Sequence, residues 1–378
     1  MLIGLDRLSF QLLATSMNEW KLGTQNSHLS SGEGYSVFKA SDDTVWGFGE
    51  RFFKRIDEHG RFVPFQVPIV ENTTVIQAAT EKVMCITTEG KVWEFSPEWA
   101  PRVGVSAWSQ VPTLIPSLPA ITTVSCGINH TVFVAEDTSV WGIGSNKQGQ
   151  LGFGYRETVK EMQQIPDVNA RAVYCGHTFT YLLSDNGTVH CAGWNICGQL
   201  GMGDKEDRRT FTELLPESNI ASISCGEYHT LFLIDDGTVY SCGKSKVGAL
   251  GLGDESTEAL YPQRIVGLPL IKAITCSRHQ SFCLDEEGQL WSFGNNRNGR
   301  LGFDDISDRN TPDRVQDIPP MSSLCTFSFV RVSNNVLKED LEQNLLLTDV
   351  HGQLWSFPPS SGEQSFSPLQ PVNPDFHE

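Results

Sequence analysis

Short apolar runs recur along the chain and are separated by turns that contain glycine next to an acidic or amide residue. Residues 230–234 form one such run, Asp236-Gly237 follows, and a second run ends in the aromatic Tyr240. Runs this short, bounded by turn residues, are typical of β-strands joined in hairpins. Asn-Gly and Asp-Gly favour a two-residue hairpin turn with positive φ at both central residues, so the sequence predicts turns of that type.

The pattern repeats with a period near 50 residues. Five cysteines are spaced by 49, 50, 51 and 49 residues: Cys126, Cys175, Cys225, Cys276 and Cys325. Fifteen residues after the first four stands an aromatic residue or histidine: Trp141, His190, Tyr240 and Trp291. Counting back from Trp46 and Trp93 gives two further small residues, Ser31 and Ala78. Seven copies therefore start near positions 31, 78, 126, 175, 225, 276 and 325, and the last carries an insertion at about 326–343.

A repeat of about 50 residues that holds four short strands is typical of a β-propeller blade. The sequence therefore predicts an all-β fold: a single seven-bladed β-propeller that spans residues 1–378. We expect strands from the N- and C-terminal parts of the chain to close the ring, because closure removes exposed sheet edges.

After the aromatic position, four copies continue into a glycine-rich loop: GSNKQGQLGFG (144–154), GWNICGQLGMG (193–203), GKSKVGALGLG (243–253) and GNNRNGRLGFD (294–304). Together with Cys-Gly and the following His-Thr, this pattern resembles the repeat of the regulator-of-chromosome-condensation family. The copies from 126 to 304 match it closely, whereas the first, second and seventh are degenerate. The resemblance implies a propeller that binds the small GTPase Ran and promotes its nucleotide exchange. Other members of that family are adaptor or inhibitor propellers, which is the alternative function.

Composition and charge limit the cellular compartments and the kinds of partner that the sequence predicts. The chain has a net charge of −17, which disfavours direct binding of nucleic acid and would steer a basic partner surface towards it. Its ten cysteines, without a recognisable signal peptide, indicate reduced thiols in the cytoplasm or nucleus. No run of apolar residues is long enough to span a membrane. We expect a monomer.

The candidate chemical residues are better explained as scaffold. Ser31 and Ala78 occupy the cysteine position in two copies, which indicates a small packing residue. Only two copies carry histidine four residues after the cysteine, so His130 and His229 are predicted to bridge strands by hydrogen bonds. Cys191 and Cys197 lack zinc-site spacing. We therefore expect no cofactor, no metal and no bond-making chemistry.

The residues two and three positions after each cysteine differ from copy to copy, as expected for a surface that reads a partner. Free variation of exposed loops would give the same pattern. These positions and the insertion supply the candidate partner-binding residues: Glu33, His177, Glu227, Tyr228, Arg278, His279, Arg331 and Lys338. The resemblance implies a Ran-contacting role for Glu33, His177, Glu227 and His279. The insertion is predicted to be a long loop projecting from the same face.

The partner predicted from these residues is a small GTPase, Ran-like or of the Rho, Rab or Arf type, or another protein. The resembled exchange factor has a projecting wedge after the aromatic strand, and no copy here is lengthened at that place. The sequence thus leaves two functions open: a guanine-nucleotide exchange factor or regulator of a Ran-like GTPase, and an interaction platform without exchange activity.

Overall fold

A computed structural model describes residues 29–32, 35–39, 45–49, 65–67, 70–78, 83–95, 112–214, 219–253, 257–333, 336–349, 354–356 and 370–371. Within these ranges the regular structure is β-strand, with one 3-10 turn at Arg297–Gly299. No helix among these residues has the length and apolar character needed to cross a membrane.

The described strands form seven sheets of four strands each, and every sheet takes four strands that are consecutive in the chain. All strand pairs within the sheets are antiparallel, as the hairpin pattern predicts. These sheets confirm the predicted all-β fold of propeller blades. Closure of the ring by strands from both ends of the chain stays a prediction. The assignment of residues 1–378 to a single domain also stays a prediction.

The contacts group the chain into two compact units. Unit 1 comprises residues 1–118, 298–304 and 317–378, and unit 2 comprises residues 119–297 and 305–316. The strands of unit 1 are β1 (Leu29–Gly32), β2 (Tyr35–Lys39), β3 (Val45–Gly49), β4 (Phe65–Val67), β5 (Thr73–Ala78), β6 (Val83–Thr87), β7 (Val92–Phe95), β8 (Thr113–Leu114), β25 (Met321–Ser333), β26 (Val336–Asp349), β27 (Leu354–Ser356) and β28 (Gln370–Pro371). In this unit β1 contacts both β5 and β25, so the sheet of β1–β4 lies between the other two.

Unit 2 holds the four closely matching copies, apart from residues 298–304. Its strands are β9 (Ile121–Cys126), β10 (His130–Ala135), β11 (Ser139–Gly144), β12 (Val159–Asn169), β13 (Ala172–Cys175), β14 (Phe179–Leu183), β15 (Val189–Gly193), β16 (Arg208–Leu214), β17 (Ile220–Cys225), β18 (His229–Ile234), β19 (Val239–Lys244), β20 (Glu258–Arg264), β21 (Ile271–Cys276), β22 (Gln280–Asp285), β23 (Leu290–Gly294) and β24 (Arg309–Arg314). The first strands of successive sheets, β9, β13, β17 and β21, contact one another in chain order.

The core of unit 2 lies between neighbouring sheets. Every residue of the second strands β10, β14, β18 and β22 is buried, because each of these strands has a sheet partner on both sides and a neighbouring sheet over its faces. Phe179, Tyr181 and Phe232 form part of one cluster that joins two sheets. Tyr181 meets both phenylalanines edge-on, with ring centroids 6.0 and 5.6 Å away.

The hairpin turns differ from the predicted type. In the hairpin of β18 and β19, the amide of Gly237 donates to the carbonyl of Ile234 (3.0 Å), and Gly237 has φ of 83°. Asp236 does not have positive φ, so the prediction of positive φ at both central residues is wrong. A three-residue loop, in which a type I turn is followed by a left-handed glycine, needs positive φ at the glycine only. Asp236 stabilises the turn by accepting the amide of Thr238 (2.9 Å).

The insertion at 326–343 is not a loop, so that prediction is wrong as well. It extends β25 and β26 into a long antiparallel hairpin that is paired out to Ser333 and Val336. Phe327 and Phe329 alternate with polar residues along β25, and alternation of this kind is typical of a strand. The sequence between the last paired residues is Asn-Asn, which is suited to a short hairpin connection.

Candidate partner-binding site

The predicted loops of unit 2 lie together at one end of its sheets. We define the loop face as the connections between first and second strands (127–129, 176–178, 226–228, 277–279) and the segments after the third strands (145–147, 194–196, 244–246, 295–297). Backbone hydrogen bonds join the two sets within each sheet: Ser145 to Asn129 (2.7 Å), Trp194 to Thr178 (3.1 Å), Lys244 to Tyr228 (2.8 Å) and Asn295 to His279 (3.0 Å). Neighbouring sheets are also joined, since the amide of Glu227 donates to the carbonyl of Arg278 (3.2 Å).

The glycine after Cys126, Cys175 and Cys225 leaves room for a ring beneath the loop. A Cβ at Gly226 would lie 2.3 Å from Cε1 of His229, and a Cβ at Gly176 would lie 2.2 Å from Cζ of Phe179. Neither glycine has positive φ, so the requirement is for space and not for backbone conformation. The Cys-Gly pair thus exists because the side chain four residues after the cysteine packs against the backbone of its own loop.

The two predicted bridging histidines each hydrogen-bond to the next sheet. Nε2 of His130 lies 3.0 Å from Oγ1 of Thr180, which itself donates to the carbonyl of Gln150 (2.7 Å). Because the single hydroxyl proton goes to that carbonyl, the hydroxyl accepts from Nε2–H of the histidine. His229 repeats the arrangement with Ser281 (2.9 Å), which confirms the prediction.

The column of cysteines also joins neighbouring sheets. Sγ of Cys175 donates to the carbonyl of Ser125 (3.3 Å), and Sγ of Cys276 donates to the carbonyl of Ser224 (3.4 Å). Burial raises the pKa of both thiols to about 12, so they stay protonated and unreactive at neutral pH. The packing role predicted for these cysteines is confirmed in unit 2.

Glu227 does not have the exposed position expected of a partner-binding carboxylate, since it is only 5 % exposed. Its carboxylate pairs with the Arg278 guanidinium, through Nε to Oε2 and through Nη2 to Oε1 at 3.2 Å, and it lies 3.7 Å from Nε2 of His279. Burial favours a higher pKa for Glu227, but hydrogen bonds from Arg278 and Tyr228 and the charge of Arg278 outweigh it and lower the pKa. Glu227 is therefore ionised and buried, and it anchors its own loop to the loop that carries Arg278.

Three aromatic rings from three successive sheets form a row beside this anchor. Tyr228 stacks on His279 with ring centroids 6.0 Å apart and an interplanar angle of 17°, and Trp194 approaches Tyr228 at 5.8 Å. Burial and the neighbouring Glu227 carboxylate raise the pKa of Tyr228 to about 12, so its hydroxyl remains a donor. We call Trp194, Tyr228 and His279 the aromatic row.

The structure thus brings together four predicted site residues: Glu227, Tyr228, Arg278 and His279. His177 lies in the neighbouring loop of the same face, and its charge contributes to the lowered pKa of Glu227. Glu33 lies outside the described residues. Arg331 and Lys338 lie on the extended strands β25 and β26 of unit 1.

Sequence reasoning missed Trp194 and the residues three positions after the glycine in the last two positions of each third strand: Lys147, Ile196, Lys246 and Arg297. All four are exposed. The residue before each of them is a buried Asn or Ser. Asn146, Asn195 and Ser245 each accept a backbone amide of their own loop, as Asn146 does from Leu151 (2.8 Å). A constant polar residue followed by a variable one was the signal in the repeat alignment that could have located them.

No set of three or more His, Cys, Asp or Glu side chains among the described residues is close enough to hold a metal ion. Cys191 is buried with a pKa raised to about 12 by burial, and Cys197 lies in the loop that follows Trp194.

Comparisons with family models and with curated proteins point to the same family. The family model of the RCC1-like domain matches residues 15–333. The human regulator of chromosome condensation is 29% identical over 136 residues, which cover 32% of this chain and 32% of that protein. Human protein RCC2 is 37% identical over 86 residues, which cover 22% of this chain and 16% of RCC2. The matched part is thus less than a third of the length of these curated relatives.

Solved structures show the same fold. Prp20p from Saccharomyces cerevisiae superposes with a TM-score of 0.68 at 18% identity, over 78% of this chain and 79% of that one. Human WBSCR16 superposes with a TM-score of 0.66 at 18% identity, over 81% of this chain and 85% of that one.

Proposed function

Because the chain belongs to the RCC1-like domain family, we propose that it is a protein-binding propeller that regulates a Ran-like small GTPase as a guanine-nucleotide exchange factor. The structure of Prp20p was described with its binding properties to Gsp1p and histones, which supports a protein partner. Exchange requires no bond chemistry in the propeller itself. It requires a surface that binds the nucleotide-free GTPase more tightly than the loaded form.

The observation that carries the proposal is the preorganised loop face of unit 2. Glu227 and Arg278 hold two loops from neighbouring sheets together, and the aromatic row lies beside them. Aromatic side chains that their neighbours hold in place within a partly polar surface are typical of the residues that dominate protein interfaces. We expect the partner to contact Trp194, Tyr228 and His279.

Release of labelled GDP tests the exchange function. Ran-, Rho-, Rab- and Arf-type GTPases loaded with a fluorescent GDP would be mixed with excess unlabelled nucleotide, with and without the full chain. We expect accelerated release from the Ran-type protein. If release from every GTPase proceeds at its intrinsic rate, the chain is not an exchange factor for these classes.

Substitution in the aromatic row tests the site. Tyr228→Ala should weaken binding of the nucleotide-free GTPase by about tenfold or more, as expected for a buried aromatic at the centre of an interface. Tyr261→Ala is the matched control, because Tyr261 is 64% exposed on β20, the outer strand of the same sheet. Equal effects of the two substitutions, measured by surface plasmon resonance, would exclude the loop face as the binding surface.

The second candidate function is an interaction platform without exchange activity. The observation that favours it is the absence of a lengthened segment after the aromatic strand in unit 2, where residues 112–214 and 219–253 keep the repeat spacing. Binding of a GTPase or another protein without any change in GDP release would support it. Arg331→Glu and Lys338→Glu would show in the same assays whether the long hairpin contributes. A regulator of this kind would act in the nucleus or the cytoplasm. Imaging of a tagged chain in cells would test this localisation.

A further inference from the structure

The loop face of unit 2 has the opposite charge from the chain as a whole. Its only carboxylate is Glu227, which is buried and paired with Arg278. Its basic residues are Lys147, Lys244, Lys246, Arg278 and Arg297, and His177 and His279 lie among them. The chain carries a net charge of −17, so this face is a local basic surface on an acidic protein.

Three acidic residues that border this face form ion pairs. Asp204 pairs with Arg208 (2.6 Å), Asp207 with Arg156 (2.8 Å), and Glu258 with both Lys205 (2.7 Å) and Lys244 (3.9 Å). Lys147 and Lys246, by contrast, are exposed and make no ion pair with any residue that the structure describes. The charge available to a partner on this face is therefore positive.

The same face also offers apolar area. Ile196 is 56% exposed at the repeat position that Lys147 and Lys246 occupy in their own loops. The aromatic row begins two residues before it, at Trp194. A partner that fits this face combines negative charge with an aromatic or aliphatic side chain.

We propose that the loop face of unit 2 binds an acidic protein segment, in which Asp or Glu residues flank one aromatic or aliphatic side chain. The apolar side chain lies against Ile196 and the aromatic row, and the carboxylates lie near Lys147 and Lys246. This inference rests on the proposed function and specifies the chemistry of the partner's surface. It reverses the expectation from net charge, which was a basic partner surface.

A nucleic-acid strand also combines negative charge with planar groups, but the surroundings of the face disfavour it. A phosphate backbone that extends beyond the face meets the surface of a chain whose net charge is −17. A short acidic segment ends within the basic area and avoids that repulsion.

Fluorescence anisotropy with four labelled probes tests the proposal on the full chain. The probes are a short peptide of alternating Glu and Gly around one Trp, the same peptide with Gln for Glu, the same with Lys for Glu, and a single-stranded oligonucleotide with the charge of the acidic peptide. At low ionic strength we expect the acidic peptide to bind about tenfold more tightly than its Gln counterpart, with a difference that shrinks as NaCl is added.

Paired charge reversals locate the binding. Lys147→Glu with Lys246→Glu should weaken binding of the acidic peptide by about tenfold, through lost attraction and new repulsion. Arg264→Glu with Lys272→Glu is the matched control, because both residues are exposed near the hairpin-turn ends of their strands, away from the loop face. Circular dichroism would establish that both double variants are folded.

Three outcomes overturn the proposal: equal binding of the acidic and Gln peptides, equal losses from the two double variants, or tighter binding of the oligonucleotide than of the acidic peptide. The last outcome would assign the face to nucleic acid. The peptide result does not depend on any GTPase. A chain that discriminates between the peptides but fails to bind GTPases or release GDP would contradict the proposed function alone.

Discussion

At the scale of single residues, His130 and His229 link sheets while remaining uncharged. Burial lowers the pKa of each to about 3, against an ordinary value near 6.5. Below pH 6.5 the unfolded chain therefore binds protons that the folded chain does not. Each histidine contributes stability above that pH, and the contribution is lost as the pH falls towards 3.

His229→Gln tests this linkage. Glutamine already occupies the same repeat position at Gln280, where it is buried and donates to the carbonyl of Asn295 (3.2 Å), so the substitution fits the site. Between pH 6.5 and 4.5 we expect the free energy of unfolding to fall less steeply in the variant, by about 1.4 kcal/mol per pH unit. Urea denaturation across this range measures the slopes. Parallel slopes would mean that His229 becomes protonated in the folded protein.

Glu227 gives a second prediction at this scale. Glu227→Ala should lower the free energy of unfolding by about 1–3 kcal/mol, because it removes the buried carboxylate that pairs with the guanidinium of Arg278. Glu227→Gln retains an acceptor and should cost less. Chemical denaturation of the two variants gives the comparison. An unchanged stability in Glu227→Ala would show that the pair is formed without contributing to the fold.

The residue-scale predictions from sequence succeed where a position repeats. The cysteines and the paired histidines stand in register, so their scaffold role follows from the alignment. The burial of Glu227 could not be predicted, because its partner Arg278 lies 51 residues further along the chain, in the next sheet. In the sequence, a carboxylate in a variable loop looks the same whether it is exposed to solvent or paired with a basic side chain.

At the scale of the element, the loops after β9, β13 and β17 depend on the contact between a glycine and a ring. Gly176→Ala should destabilise unit 2, because the new Cβ would overlap the ring of Phe179. Phe179→Ala should cost about 3–5 kcal/mol through the cavity that it leaves. The two effects should not add, since the alanine at 176 has space once the ring is absent.

A double-mutant cycle measures that coupling. The free energy of unfolding of the double variant should lie close to that of Phe179→Ala alone. Additive losses would indicate that Gly176 is required for its backbone conformation and not for space.

Strand positions were more predictable than the connections between them. The apolar runs and the turn glycine located β18 and β19 to within a few residues. The turn type was not predictable, because Asp-Gly suits both a two-residue turn and the third position of a longer loop. The hairpin of β25 and β26 was missed because the insertion was judged by its length alone, and the alternation of Phe327 and Phe329 with polar residues was not used.

At the scale of the whole molecule, net charge dominates the response to salt. A charge of −17 produces self-repulsion in the folded state that salt screens. We expect the midpoint of thermal unfolding to rise by a few degrees when NaCl increases from low to physiological ionic strength. Calorimetry at several concentrations measures it. A falling midpoint would show that the attractive pairs, such as that of Asp204 and Arg208, outweigh the repulsion.

The period of 49 to 51 residues was sufficient to predict the number of sheets and the class of fold, because each copy must form the same unit. The positive charge of the loop face was not predictable from the net charge of the whole chain. That sign arises because Glu227 is paired and buried while Lys147 and Lys246 point to solvent, and composition does not distinguish these two situations.

The buried thiols give the molecule an internal set of reporters. Cys191, Cys242 and Cys283 are fully buried in three successive sheets, and burial raises the pKa of each, so alkylating reagents react with them only when the surrounding sheet opens. Pulse alkylation followed by mass spectrometry would therefore record the order in which the repeats separate, one position per sheet, without any engineered label.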